Sequence, residues 1–239
     1  MADSKLGRSL RTLARHPGAL TVAYMKGSRV PYMHPFRVFL VANVMFFLVA
    51  SLVGQSPLTT RLRMHMHSEN FYHQPVAKQM VETHLDEVGT EFEVYEAAFD
   101  RRVETLAKSL VLVMLPVFAF LMGLLLMGRK EPAVKHLAFS CHAYAHLLLF
   151  NFAIVLGILG LVFVFPALDV ISRDAKEILV SVISLMIMLG FFYAGVRRVY
   201  GTQRLMSVAL GLVMTVGVYF VLFLYRALLF FVAFYSLKF

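Results

Sequence analysis

The sequence predicts an all-α, polytopic membrane bundle of about five transmembrane helices, with an acidic amphipathic helix outside. Two observations carry this. Of 239 residues, 59% are hydrophobic and only 15% are charged, whereas soluble domains carry about a quarter charged residues. The apolar residues also fall in long blocks, and the mean hydropathy is +0.73. These values argue against a soluble globule and against a disordered chain.

A spanning helix needs about 20 apolar residues to cross about 30 Å of hydrocarbon. Five segments meet that need: residues 36–54, 106–127, 137–165, 178–196 and 205–226. The first follows a basic arm, residues 1–35, and no small-residue cleavage site follows it. It therefore reads as an uncleaved signal anchor. Pro116 is expected to kink the second span. The last apolar run extends from Leu205 to Leu237, about 50 Å of helix at 1.5 Å per residue and too long for one crossing. Arg226 then falls roughly 30 Å along it, at the outer interface, where a long cationic side chain snorkels to water. Residues 227–239 form an external apolar segment that lies in the interface, extends the helix or packs on the outer loop.

Loop charges set the orientation. Lys5, Arg8, Arg11, Arg15, Lys26, Arg29 and Arg37 precede or open the first span, against Asp3 alone. Arg129, Lys130 and Lys135 follow the second span, and Arg197, Arg198 and Arg204 follow the fourth. With five crossings these regions share one side. The opposite side holds residues 55–105, where Glu69, Glu82, Asp86, Glu87, Glu91, Glu93, Glu96, Asp100 and Glu104 outnumber Arg61, Arg63, Lys78, Arg101 and Arg102. The N-terminus is thus expected in the cytoplasm and the C-terminus outside. The net charge of +9 is explained by this topology, and no basic cluster suits nucleic acid.

Within the arm, Leu6, Leu10 and Leu13 sit at helical spacing among basic residues. This reads either as a basic amphipathic helix on the inner leaflet or as a plain topogenic arm. Pro17 suits the first turn of a second short helix reaching Met25. In the outer loop, residues 55–75 read as polar and irregular. From Val81 the apolar positions Leu85, Val88, Phe92, Tyr95, Phe99, Val103 and Leu106 follow at steps of three and four. That is one amphipathic helix running into the second span.

Several polar residues are candidates for chemistry. His142 and His146 share a face of the third span, at the spacing two imidazoles need to hold one metal ion. His136 is about 240° away around that helix, and Cys141 points elsewhere. Asn151 on the same span, Asn43 on the first and Arg226 on the last complete an intramembrane polar set, for interhelical hydrogen bonds or a substrate path. Two histidines on one helix do not clamp a haem iron from opposite faces, so copper or haem at His142 and His146 is the lesser reading. Outside, Met64, His65, Met66 and His67, with His73 behind, offer thioether and imidazole donors suited to copper. In an extended segment His65 and His67 would share a side. Arg29, Tyr32 and Arg37 are candidates for contacting lipid phosphate, which the guanidinium fork matches, although positive-inside topology also accounts for the arginines. No catalytic residue is assigned. The spans contain no paired carboxylates, and no nucleophile has a plausible base.

The run from Leu13 to Leu48, with its elements Arg15–Gly18, Tyr24–Arg29 and Tyr32–Arg37, resembles an uncharacterised bacterial membrane family, domain of unknown function 3667. His136, Phe139 and His142 in KHLAFSCHAYAHLLLF, and the run RRVYGTQR, are similar to later elements of that family. His16 and His34 depart from its spacing in the first part. The resemblance implies a bacterial inner membrane protein and brings no established activity.

Three functions stay open. One is non-enzymatic handling of lipid or another small amphiphile, or assistance to such transport. Another is an accessory subunit of a larger membrane complex, or a homo-oligomer, docking through the external helix. The third is a copper or haem binding membrane protein.

Overall fold

The structure, a computed structural model, describes residues 4–28, 30–52, 58–68, 71–164 and 172–237. Its regular elements among these residues are helical. They are α1 (Lys5–Arg15), α2 (Ala19–Met25), α3 (Pro35–Leu52), α4 (Leu62–His67), α5 (Gln74–Val88), α6 (Phe92–Leu110), α7 (Met114–Leu125), α8 (Ala133–Val164), α9 (Arg173–Tyr200) and α10 (Arg204–Ser236). Among the described residues four helices are long and apolar enough to cross a membrane: Pro35–Leu52, Phe92–Leu125, Ile178–Tyr200 and Arg204–Ser236. Phe92–Leu125 joins α6 and α7 through a 3-10 turn at Val111–Val113. Pro116 accounts for that tightening. Its missing N–H leaves the carbonyl four residues back without its α-helical partner.

The contacts divide the chain into two compact units. One comprises Met1–Val53 and Leu115–Val218, the other Gly54–Met114 and Tyr219–Phe239.

In the first unit α3 packs along α8, and α2 rests on α8 and α9. Val38, Phe39, Phe118, Phe139, Phe192 and Val196 are fully buried there. Ser4 caps α1, accepting from the Gly7 N–H at 3.1 Å. The α1–α2 turn depends on Gly18, whose φ is +79°. An added Cβ would stand 2.9 Å from the Gly195 carbonyl oxygen. Only glycine meets both demands, a left-handed backbone and a near-zero side chain. The leucine stripe of α1 is consequently covered by protein over much of its length: Leu13 is buried, and Leu6, 38% exposed, is its open end. This departs from an arm whose apolar face is free to lie on the leaflet.

The second unit is built by α4, α5, α6 and residues 219–236 of α10. Tyr95, Phe99, Val103, Leu62 and Phe230 fill its core. Two sequence expectations are corrected here. Residues 62–67 form a helix rather than an irregular stretch. So short a helix is unstable alone, but the Asp100 carboxylate accepts from the Leu62 N–H at 2.9 Å, satisfying a free donor of its first turn. The local pattern around Met64 contains no trace of that distant partner. The amphipathic stripe from Val81 to Leu106 is also two helices rather than one. Gly89, at φ +67°, ends α5 with its N–H on the Leu85 carbonyl. As for the end of the chain, α10 continues past Arg226 to Ser236, and its last turns carry Phe230 into the core just described.

Gly18→Ala should cost about 1–2 kcal/mol for the left-handed backbone, plus the clash with Gly195. Gly27→Ala, at φ +77° with nothing within 4 Å of the added carbon, should cost the backbone share alone. Equal losses of unfolding free energy in lipid nanodiscs would mean that the close approach at Gly195 is not a constraint.

Candidate functional site

In the first unit the histidines of α8 hold the N-terminal arm. His142 is buried, and its Nδ1 lies 2.9 Å from the Thr21 hydroxyl of α2. His146, also buried, stacks on Phe191 of α9 at a centroid distance of 4.2 Å. The backbone of Leu13, in α1, approaches the His146 ring as an acceptor. The two rings share a helix face, as their spacing dictates, yet each is directed to a different element of the arm. His142 Nε2 and His146 Nε2 are buried without a hydrogen-bond partner among the described residues. Further contacts fix the same arm. Arg198 donates to the Pro17 carbonyl at 2.6 Å, and the Met33 N–H donates to the Ser9 hydroxyl at 3.0 Å.

Nearer the start of α8, His136 Nδ1 lies 2.9 Å from the Tyr200 hydroxyl. Arg129 donates to the Tyr200 carbonyl at 2.6 Å, which places a cation on the C-terminal carbonyls of α9 where the helix dipole favours it. Lys135 pairs with Glu131 at 2.9 Å and lies over the Tyr200 ring at 5.1 Å. Beside this cluster an open groove of about 710 Å³ runs between α7 and α8. Pro116, Phe120, Leu124, Met127, Val134 and Leu137 line it, with His136 at one end. The lining is almost wholly apolar, and its volume lies within the usual range of small-molecule sites. Exposed Lys130 follows directly after the turn that ends α7.

The other sequence candidates are dispersed. Asn151 is exposed, and its side chain donates to the Leu147 carbonyl of its own helix at 2.8 Å. It does not join the two histidines, since donation to its own preceding turn satisfies its amide locally. Asn43 is buried in α3. Tyr32 is half-buried, Arg37 is exposed, and Arg29 lies outside the described residues. Tyr200, Thr21 and the groove were not anticipated. Thr21 had a signal, as the one aliphatic hydroxyl in the apolar run of α2.

In the second unit the Met/His run is sorted by its helix. Successive residues turn by about 100°, so His65 and Met66 are buried while Met64 is 51% exposed and His67 is exposed. The expected pairing of His65 with His67 on one side fails for this reason. His65 meets His73 instead: His65 Nδ1 and His73 Nε2 are 2.9 Å apart. Burial, then His73 and Arg226 nearby, push the His65 imidazole down to about 3. Burial lowers His73 as well. Arg226 stands half-buried in α10 with its guanidinium 5.7 Å from the Phe71 ring centre. Its Nε has no hydrogen-bond partner among the described residues. Among those residues no group of three or more His, Cys, Asp or Glu could hold a metal ion.

The model of a family described as a protein of unknown function, DUF3667, matches residues 3–47. The match covers the arm and most of α3; the run holding His142 and His146 lies outside it. No curated protein and no solved structure matches the chain.

Thr21→Val should cost about 1–3 kcal/mol by stranding His142 Nδ1. A double-mutant cycle with His142→Phe, read by proteolysis of the arm, should recover much of that loss. Strict additivity would show that the pair is not coupled. The second unit should weaken in acid. His65 stays neutral when folded but takes a proton near 6.5 when unfolded. Its contribution is therefore full above about pH 6.5 and is lost as pH falls toward 3, by at most about 1.4 kcal/mol per pH unit. Hydrogen exchange in α4 at pH 7.5 and 5.5 checks this, with His65→Asn expected to flatten the difference.

Proposed function

We propose that the protein is a non-enzymatic membrane protein that binds an anionic lipid, its acyl chain in the α7–α8 groove and its headgroup against Lys130 and Lys135. One observation carries this reading: an apolar chain, helical in its described regular elements, opens a groove of about 710 Å³ directly beside a cluster of basic residues. In a membrane such a groove meets lipid before any other ligand, and cations at its mouth select headgroup charge. Glu131 takes up part of the Lys135 charge, which leaves Lys130 as the freer partner.

The reading includes a topology. We take α8, 32 residues long, as a crossing in addition to the four apolar helices. The N-terminus is then cytoplasmic and the C-terminus external, in a bacterial inner membrane. Loop charge supports that orientation: Arg129, Lys130, Arg197 and Arg198 lie on the same side as the basic arm. The acidic segment, residues 55–105, is then external. A role in moving lipid or in serving a larger complex would build on this binding.

The sequence has no tryptophan, so a single Leu124→Trp reports on the groove. Its fluorescence in nanodiscs should be quenched several-fold more by brominated-chain phosphatidylglycerol than by brominated phosphatidylcholine. Lys130→Ala should weaken that preference about 5-fold, since each cation near the surface contributes about 1 kcal/mol. Equal quenching by both lipids would refute headgroup selection, and no quenching by either would refute occupancy of the groove.

A further inference from the structure

The His65–His73 contact is an unusual way to bury two imidazoles. Two neutral rings facing each other at 2.9 Å share a single proton, one ring donating and the other accepting. Each ring then turns its second nitrogen away. His65 Nε2 and His73 Nδ1 are both buried without a hydrogen-bond partner among the described residues. The Thr60 carbonyl approaches the His65 ring without completing a hydrogen bond to Nε2. The surroundings are aromatic: Phe71 stacks on His65 at 5.5 Å, and Phe230 stands 5.1 Å from His65 and 5.9 Å from His73. Among the described residues neither ring has a carboxylate partner, and Arg226 adds positive charge nearby.

A metal ion between the facing nitrogens would replace the shared proton and leave both outer nitrogens as N–H donors. His65 could then give its proton to the Thr60 carbonyl, the kind of partner that ligating histidines ordinarily have. The ion's identity follows from the donors. Structural zinc takes four ligands, and calcium or magnesium needs oxygen donors. Among the described residues no carboxylate joins this pair, and Arg226 disfavours a doubly charged ion. Cu(I) carries one charge, accepts two or three ligands, and favours imidazole and thioether. Aromatic faces tolerate a monovalent cation.

We propose that His65 and His73 form a two-coordinate Cu(I) site whose ligands are the two facing nitrogens. Gln74 holds the two ligand-bearing segments together. Its side chain, next to His73, donates to the Met66 carbonyl at 2.6 Å. Two nitrogens each about 2 Å from a metal ion require the rings to part by on the order of 1 Å. His73, at the turn opening α5, supplies that movement. The exposed Met64 and His67 take no part, and the site is independent of lipid binding in the groove.

The test is an anaerobic titration of the purified full chain in nanodiscs with Cu(I), in competition with a chromogenic Cu(I) chelator. The expected result is one equivalent per chain, weakened at least 10-fold by His65→Gln and by His73→Gln. His67→Gln and Met64→Leu should leave it unchanged. X-ray absorption on the copper-loaded wild type, which depends on no variant's folding, should show two imidazole nitrogens. Failure to retain one equivalent overturns the proposal. So does loss on changing His67 or Met64 with His65 intact, or a copper shell lacking imidazole.

Discussion

A buried imidazole has two nitrogens and, in an apolar interior, no water to satisfy them. Leaving either unpaired costs free energy comparable to a lost hydrogen bond. That constraint organises the first unit. His142 and His146 rise from one face of α8 and find their partners in two different helices of the N-terminal arm. Because Thr21 and Leu13 must both reach that face, the chain between them has to fold back within a few residues. Gly18 permits the reversal, and its lack of a side chain lets the turn settle against Gly195. The Ser9 hydroxyl then accepts from Met33, just before α3, so the histidines indirectly set where the first long helix begins.

The second unit is held by different means. Its buried surface is mainly aromatic, with Tyr95, Phe99 and Phe230 fully enclosed and rings meeting edge-to-face and offset. Its charges lie outside that core. The Arg63 Nε–H is shared between the two carboxylate oxygens of Glu96 at 2.8 and 2.9 Å, a contact partly exposed and therefore worth little stability. Asp100 contributes more directly, by satisfying the first turn of α4. Shape and burial set the tolerance in this unit, whereas hydrogen-bond direction sets it in the other.

Much of the architecture was legible from composition and spacing. Long apolar blocks announced the long helices, and Pro17 announced a second short helix after α1. The histidine spacing placed His142 and His146 on one face correctly, but it carried no information about what would meet that face. Thr21 is 121 residues from His142, and no local pattern encodes such a partner. The Met/His run was misread because a six-residue helix gives almost no periodic signal. Its formation depends on Asp100, 38 residues away. Gly89 was visible as a helix terminator, but the apolar stripe continued in phase across it and concealed the break. The groove between α7 and α8 is a property of how two helices pack. Neither helix alone shows in its sequence where the other will leave a gap.

The contacts that seat the arm also impose an order on the birth of the molecule. Residues 5–25 leave the ribosome well before their partners: His142 is 121 residues after Thr21, and Arg198 is 181 residues from Pro17. At about 5–20 residues per second, the earliest helices wait on the order of ten seconds or longer for α9 to be synthesised. Throughout that interval Leu13, Leu20 and Thr21 lack the α8 and α9 neighbours that later cover them. These helices are thus made early and seated late, and a membrane surface or an insertion factor must shelter them until α8 and α9 arrive.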